Sequence, residues 1–256
     1  MNDQNMKHSY KIIHKGSKVG QGASQPCYGR LNSVVKKNDE QRKYIVANEI
    51  VAHALAQHLL LPIPIGGIAT DGDEEPCYFS LEIFPDGPKP IQRHVKDKLE
   101  EIVDKFTELC WGITLFDALI INKDRKPKNL ACPENLESIH IFDHGHCLFE
   151  KVGLDRVTKH QEWIGIGDNH CLAKLLKDTT GYKAWMSSIR DIPDGFIRKA
   201  AMLGEEVGYT SAECRCISDF LIARRCKLHQ LVLNQLGKFN ALEEEEKEKL
   251  RQMDLT

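Results

Sequence analysis

Between residues 85 and 90 the sequence reads Pro85-Asp86-Gly87-Pro88-Lys89-Pro90, the densest cluster of chain breakers in its 256 residues. Proline fixes φ and lacks an N–H donor, so this stretch fits neither a helix interior nor a central strand. The chain must change direction here, and the residues on either side read differently. We place a boundary at this cluster, with an N-terminal unit over residues 1–88 and a C-terminal unit over residues 89–256.

Before the boundary the pattern is of short strands and one helix. Tyr10–His14 and Tyr28–Lys36 carry strand-like apolar residues, with Gly16, Gly20, Gly22 and Pro26 marking the turn between them. Ile50, Val51, Ala54, Leu55 and Leu59 recur at helical spacing and predict an amphipathic helix over Ala47–Leu60, ended by Pro62. Ile63–Ala69 and Cys77–Phe84 then predict a hairpin across Asp71–Glu75. After the boundary helices dominate: Val95–Leu109, Trp111–Ile120, and others near 193–204, 211–236 and Ala241–Leu250. A strand pair, Asn129–Cys132 and Ser138–Phe142, interrupts them.

With 41% hydrophobic and 28% charged residues the chain can bury a core, which excludes general disorder. A formal charge of −2 gives no overall attraction to nucleic acid or anionic lipid. The best apolar run, Leu59–Ala69, contains Pro62 and Pro64 and is too short to span a bilayer. The polar start, Met1–His8, lacks the apolar stretch of a signal peptide. The nine cysteines include no CxxC pair, so a reducing, cytoplasmic setting is expected.

The segment Leu115–Leu148, LFDALIINKDRKPKNLACPENLESIHIFDHGHCL, carries the chemistry. Phosphoryl transfer needs metal to neutralise phosphate charge, a group that orients the attacking hydroxyl, and in-line positioning. Asp124, on a loop after an apolar helix, can orient the hydroxyl, and Asn129 can offer magnesium a neutral oxygen. Asp143 follows the alternating strand Ile139–Phe142 and precedes Gly145, where the chain can turn sharply; its carboxylate can reach the same metal. Gly20-Gln21-Gly22-Ala23-Ser24-Gln25 lies between the first two strands, where small residues let backbone N–H groups approach phosphate.

Asp124-Arg125-Lys126-Pro127-Lys128-Asn129, with the later Asp143-His144-Gly145, resembles the protein-kinase catalytic loop and its Asp-Phe-Gly. The wider phrase Phe116–Arg125, an apolar helix running into Asn122-Lys123-Asp124-Arg125, is similar to HipA-like kinases and the related phosphatidylinositol kinases. Asn48-Glu49 with Ala52, Leu55-Ala56 and Leu61-Pro62-Ile63-Pro64 also resembles the HipA-like pattern. The resemblance covers roughly residues 16–149 and implies an α+β, two-lobed protein-kinase-like fold, a small β-rich N-lobe and a larger helical C-lobe.

It further implies an ATP- and Mg2+-dependent phosphotransferase, with a serine or threonine of a protein as acceptor and a regulatory partner protein. Lys126 would steady the transferring phosphate, while Gly20, Gly22, Ala23, Ser24 and Gln25 would cover the β- and γ-phosphates. The strand end Val34-Val35-Lys36 resembles the kinase Val-Ala-Ile-Lys; Lys36 would hold phosphate and Glu49 would position it, with Lys37 the competing choice. Glu82, Ile83 and Phe84 precede the hinge that would meet adenine, and Ser24 would be either an autophosphorylation site or a hydrogen-bond donor. A lipid or small-molecule kinase, a nucleotide-binding pseudokinase and a zinc site on His140, His144, His146 and Cys147 are the competing readings. Neither a membrane nor direct nucleic-acid binding is expected.

Overall fold

The computed structural model describes residues 12–19, 26–83, 96–133, 136–150, 157 and 165–253. The breaker cluster at 85–90, the whole loop at 20–25 and Tyr10 lie outside these residues. Strands β1 (Ile12–Lys18) and β2 (Cys27–Leu31) form an antiparallel hairpin. Its neck is closed by the Val19 N–H donating to the Pro26 carbonyl at 2.7 Å.

The single strand expected over Tyr28–Lys36 is broken at Asn32. β2 ends before it, and β3 (Ser33–Lys36) joins a second sheet of order β3-β5-β4, with β4 Gly66–Thr70 and β5 Pro76–Leu81. The cause is local. The Asn32 carbonyl accepts from the Glu82 N–H at 2.9 Å, and its side-chain amide donates to Glu82 Oε2 at 2.8 Å. Asn32 is thereby fastened just past the end of β5, and the chain crosses between sheets there.

Helix α1 (Ile45–His58) starts two residues earlier than its apolar pattern predicts, because Asn38 Oδ1 accepts the Val46 N–H at 3.0 Å and satisfies an N-terminal donor. Nor is it amphipathic in its setting. Asn48, Glu49 and His53 are buried along with its apolar residues, since β4 and β5 cover one side and later helices the other.

The C-terminal part is built around α3 (Thr107–Leu119), buried from Cys110 through Leu119. Its neighbours are α2 (Lys96–Lys105), α4 (Tyr182–Arg190) and α6 (Ser211–Leu233), while α5 (Asp194–Met202) packs on α1 and α6. Trp111 stacks on Phe239 at 5.2 Å and donates its indole N–H to the Asp178 carbonyl at 2.7 Å. Gly112 lies under Trp185 so closely that a Cβ would come within 2.3 Å of the ring. Last comes α7, Glu244–Gln252.

Several boundaries differ from expectation. The helix predicted over Val95–Leu109 stops at Lys105, because Phe106 leaves helical geometry and a new helix begins at Thr107. The long helix at 211–236 begins with a reciprocal Thr210–Glu213 cap and ends at Leu233, followed by a single 3-10 turn, Leu236–Lys238. Helix α4 was not anticipated at all. The expected strand pair contracts to β6 (Leu130–Ala131) and β7 (His140–Ile141), two residues each. All nine thiols are free, and no helix among the described residues is long and apolar enough to cross a membrane.

Candidate active site

Lys36 closes β3, and strand alternation sends it and Lys37 to opposite sides. Lys37 pairs outward with Asp71 in the β4–β5 turn. Lys36 Nζ donates to Glu49 Oε1 at 2.5 Å and to Asp143 Oδ1 at 2.7 Å. Burial alone would lower the Lys36 ammonium, but the two carboxylates outweigh it and hold the group above its ordinary value. Asp143 is the mirror case: burial would raise it, yet Lys36 keeps it below the usual carboxylate value.

Glu49 does more than hold the lysine. Its Oε1 also accepts the Gly145 N–H at 2.8 Å, and neighbouring Asn48 donates its amide to the Gly145 carbonyl, also at 2.8 Å. Two consecutive residues of α1 thus grip the peptide groups on both sides of Gly145. Asp143 itself sits at φ 66, in the left-handed region that aspartate tolerates better than most side chains.

Asp124 and Asn129 meet on the loop after α3. The Asn129 amide nitrogen donates to the Asp124 carbonyl at 2.8 Å, which commits that nitrogen and identifies Oδ1 as the acceptor end of the amide. The Asp124 carboxylate pairs with Lys126. Pairing of β6 with β7 carries this loop to the Asp143 turn, and the Phe142 N–H donates to the Asn129 carbonyl at 3.3 Å. Asp124, Lys126, Asn129, Asp143, Lys36 and Glu49 are therefore linked through contacts into one locality.

Sequence reasoning missed what lies beneath. Arg125 is fully buried, donating to Asp117 at 2.8 and 2.9 Å, to the carbonyls of Asn129 and Phe142 at 3.0 and 3.1 Å, and to His144 Nε2 at 2.8 Å. Asp117 also accepts from Asn122 at 2.7 Å and lies 3.2 Å from His170 Nε2. Burial would raise the Asp117 carboxyl, but Arg125 and His170 hold it far below its ordinary value. Burial, with the Arg125 charge adding to it, pushes His144 down to about 3, so its ring is neutral and Nε2 can accept. A charge at i and i+8 across a helix end is the one sequence signal that could have suggested this pair.

Other predicted residues fare differently. The Glu82 N–H is committed to Asn32 and is closed to a base, while Ile83 lies partly buried beside it. Gly20, Gly22, Ala23, Ser24, Gln25 and Phe84 fall outside the described residues. The zinc reading finds no support in the arrangement. His144 faces Arg125, Cys147 donates to the Asn48 carbonyl, and no metal-holding group of three His, Cys, Asp or Glu occurs among the described residues. Magnesium makes a different demand: it takes few protein oxygens and keeps the rest for phosphate and water. Asn129 Oδ1 and the Asp143 carboxylate are hard oxygen donors of that kind, so the residues fit.

Small antiparallel sheets and a central helix bearing Glu49, set against a larger helical part, define the fold of a two-lobed kinase. No family model matches the sequence, and no curated protein does. Among solved structures the chain resembles the Helicobacter pylori proinflammatory kinase CtkA over 77% of its own length and 86% of that chain, at TM-score 0.50 and 14% identity. It aligns with HipA from the Shewanella oneidensis MR-1 toxin–antitoxin system, solved with HipB and operator DNA, over 97% of this chain and 67% of that one, at TM-score 0.43 and 13% identity. At 14% identity the likeness to the CtkA kinase is one of fold.

Proposed function

We propose that this chain is an ATP- and Mg2+-dependent phosphotransferase that moves the γ-phosphoryl group onto a hydroxyl. The observation that carries the reading is the convergence of Lys36, Glu49 and Asp143, with Lys36 Nζ 2.5 and 2.7 Å from the two carboxylates. These residues are 13 and 107 positions apart in sequence. A stabilising salt bridge needs only two partners, whereas a lysine shared between a buried helix and an aspartate turn beside the Asp124–Asn129 loop suits nucleotide phosphates.

The roles follow from chemistry. Lys36 would hold the α- and β-phosphates as a point charge on a rigid strand. Asn129 and Asp143 would hold magnesium, which supplies neutralisation of phosphate charge when bound. The Asp124 carboxylate would take the proton of the attacking hydroxyl as the new O–P bond forms and the bond to the β-phosphate oxygen breaks, releasing ADP. Lys126, paired with Asp124, would steady the transferring group. The sequence resemblance to HipA-like kinases extends the reading to a serine or threonine of a protein as acceptor, with a regulatory partner protein. Nine free thiols suit a reducing compartment, and we propose a cytoplasmic setting.

Incubating the protein with labelled ATP, magnesium and a cell extract tests the proposal. Label entering a protein supports it, and label entering lipid would redirect it to a lipid kinase. Hydrolysis-free recovery of all the ATP would overturn it.

A further inference from the structure

The segment that leads into α6 also reaches the Asp143 turn, through Tyr209. Tyr209 is buried, and its hydroxyl donates to Asn48 Oδ1 at 2.5 Å. The other end of the same Asn48 amide donates to the Gly145 carbonyl at 2.8 Å. An amide that accepts at one atom and donates at the other has only one orientation that satisfies both neighbours. The Tyr209 hydroxyl therefore fixes which face of Asn48 is turned toward the Asp143 turn.

Tyr209 is itself held on several sides. Its ring packs against Phe149 at 5.0 Å and Tyr44 at 5.7 Å, and its N–H donates to the Gly204 carbonyl at 2.8 Å. Gly204 leaves the room it needs, since a Cβ there would lie 2.4 Å from the ring. The next residue, Thr210, caps α6 through Glu213, and Glu213 Oε1 in turn accepts the Tyr44 hydroxyl at 2.5 Å. Asn38 adds a second tie, donating to the Val207 carbonyl at 3.0 Å while accepting the Val46 N–H of α1. The start of α1 and the segment 205–213 are thus stitched together.

We infer that Tyr209 is a positioning residue, acting through Asn48 to hold the Gly145 peptide and so the Asp143 turn in the geometry that the proposed metal site requires. The C-terminal helical segment would then fasten α1 from behind, so that the Lys36–Glu49 pair is a built-in feature of the chain. The consequence for catalysis rests on the phosphotransferase reading; the positioning itself does not.

Tyr209→Phe removes the hydroxyl and keeps the ring, so it separates hydrogen bonding from packing. Amide exchange at Gly145, followed in the folded protein, should quicken on the order of tenfold in this variant, as expected for loss of one buried hydrogen bond upstream of it. The magnesium concentration giving half-maximal phosphotransfer should rise by a similar factor, with binding of metal-free ATP unchanged. Should Tyr209→Phe fail to fold, Asn48→Ala asks the same question from the helix side, and the same exchange is expected to quicken. Exchange at Gly145 equal to wild type in a folded variant would overturn the inference. A wild-type protein inert toward ATP would defeat the phosphotransferase reading and leave the exchange experiment to decide the positioning role.

Discussion

Asp117 and Arg125 form a two-point ion pair at 2.8 and 2.9 Å with neither side chain exposed. The other guanidinium hydrogens go to the carbonyls of Asn129 and Phe142 and to His144 Nε2, so one buried cation ties the end of α3 to both halves of the candidate metal site. Removing one partner leaves the other charged and buried. Asp117→Asn or Arg125→Ala should each lower stability by about 3–5 kcal/mol, read from chemical denaturation. A loss below about 1 kcal/mol would mean that the pair is solvated in solution.

Acid should unfold the protein early, and histidines set the sign. Burial brings His53 down to about 4 and His144 to about 3, against an ordinary value of 6.5. The unfolded chain therefore binds more protons between those values and 6.5, so stability is full above about pH 6.5 and falls as pH drops below it. Each of the two sites adds about 1.4 kcal/mol per pH unit where it is protonated only in the unfolded chain. Asp117, whose carboxyl is held below its ordinary 3.8, adds a further loss at lower pH still. Denaturation midpoints that stay flat from pH 7 to 4 would contradict this.

The two adjacent lysines should behave oppositely. Lys36→Met removes the cation shared by Glu49 and Asp143, and phosphotransfer should fall by about 100-fold or more. Lys37→Met breaks a pair with the half-buried Asp71 and a longer contact with exposed Asp73, both away from Glu49 and Asp143, and a change within about 1 kcal/mol in stability is expected, with activity retained. Kinetics of the two purified variants under identical conditions check the pair.

Gly112→Ala places a methyl 2.3 Å from the Trp185 ring, which the packed helices α3 and α4 cannot easily yield. A loss of about 1–3 kcal/mol follows. Thermal melting reads it, and an unchanged midpoint would show that Trp185 moves freely.

Much of this architecture was legible in the sequence where one residue type has one physical meaning. Pro62 and the apolar spacing of Ile50, Val51 and Leu55 gave α1, and the Asp71–Glu75 turn gave the β4–β5 hairpin. Asp124, Asn129 and Asp143 stood out because phosphate chemistry asks for those groups in that order. What stayed hidden depends on partners distant in the chain. Asn32 breaks a strand only because Glu82 waits at the end of β5. Phe106 splits a helical pattern that spacing alone would run through. Arg125 reads as a surface arginine until Asp117 is seen below it, and Tyr209 has no neighbour in sequence that hints at Asn48. Those are tertiary pairings, and periodicity carries no record of them.

The central claim is that the carboxylates of Asp124 and Asp143 serve one phosphoryl transfer. It is met most directly by measuring label transfer from ATP, at saturating magnesium, for the wild type, Asp124→Asn and Asp143→Asn, each first shown to melt cooperatively. Transfer by the wild type with a loss of about 100-fold or more in both variants is the predicted result. Folded variants that match the wild type would contradict it.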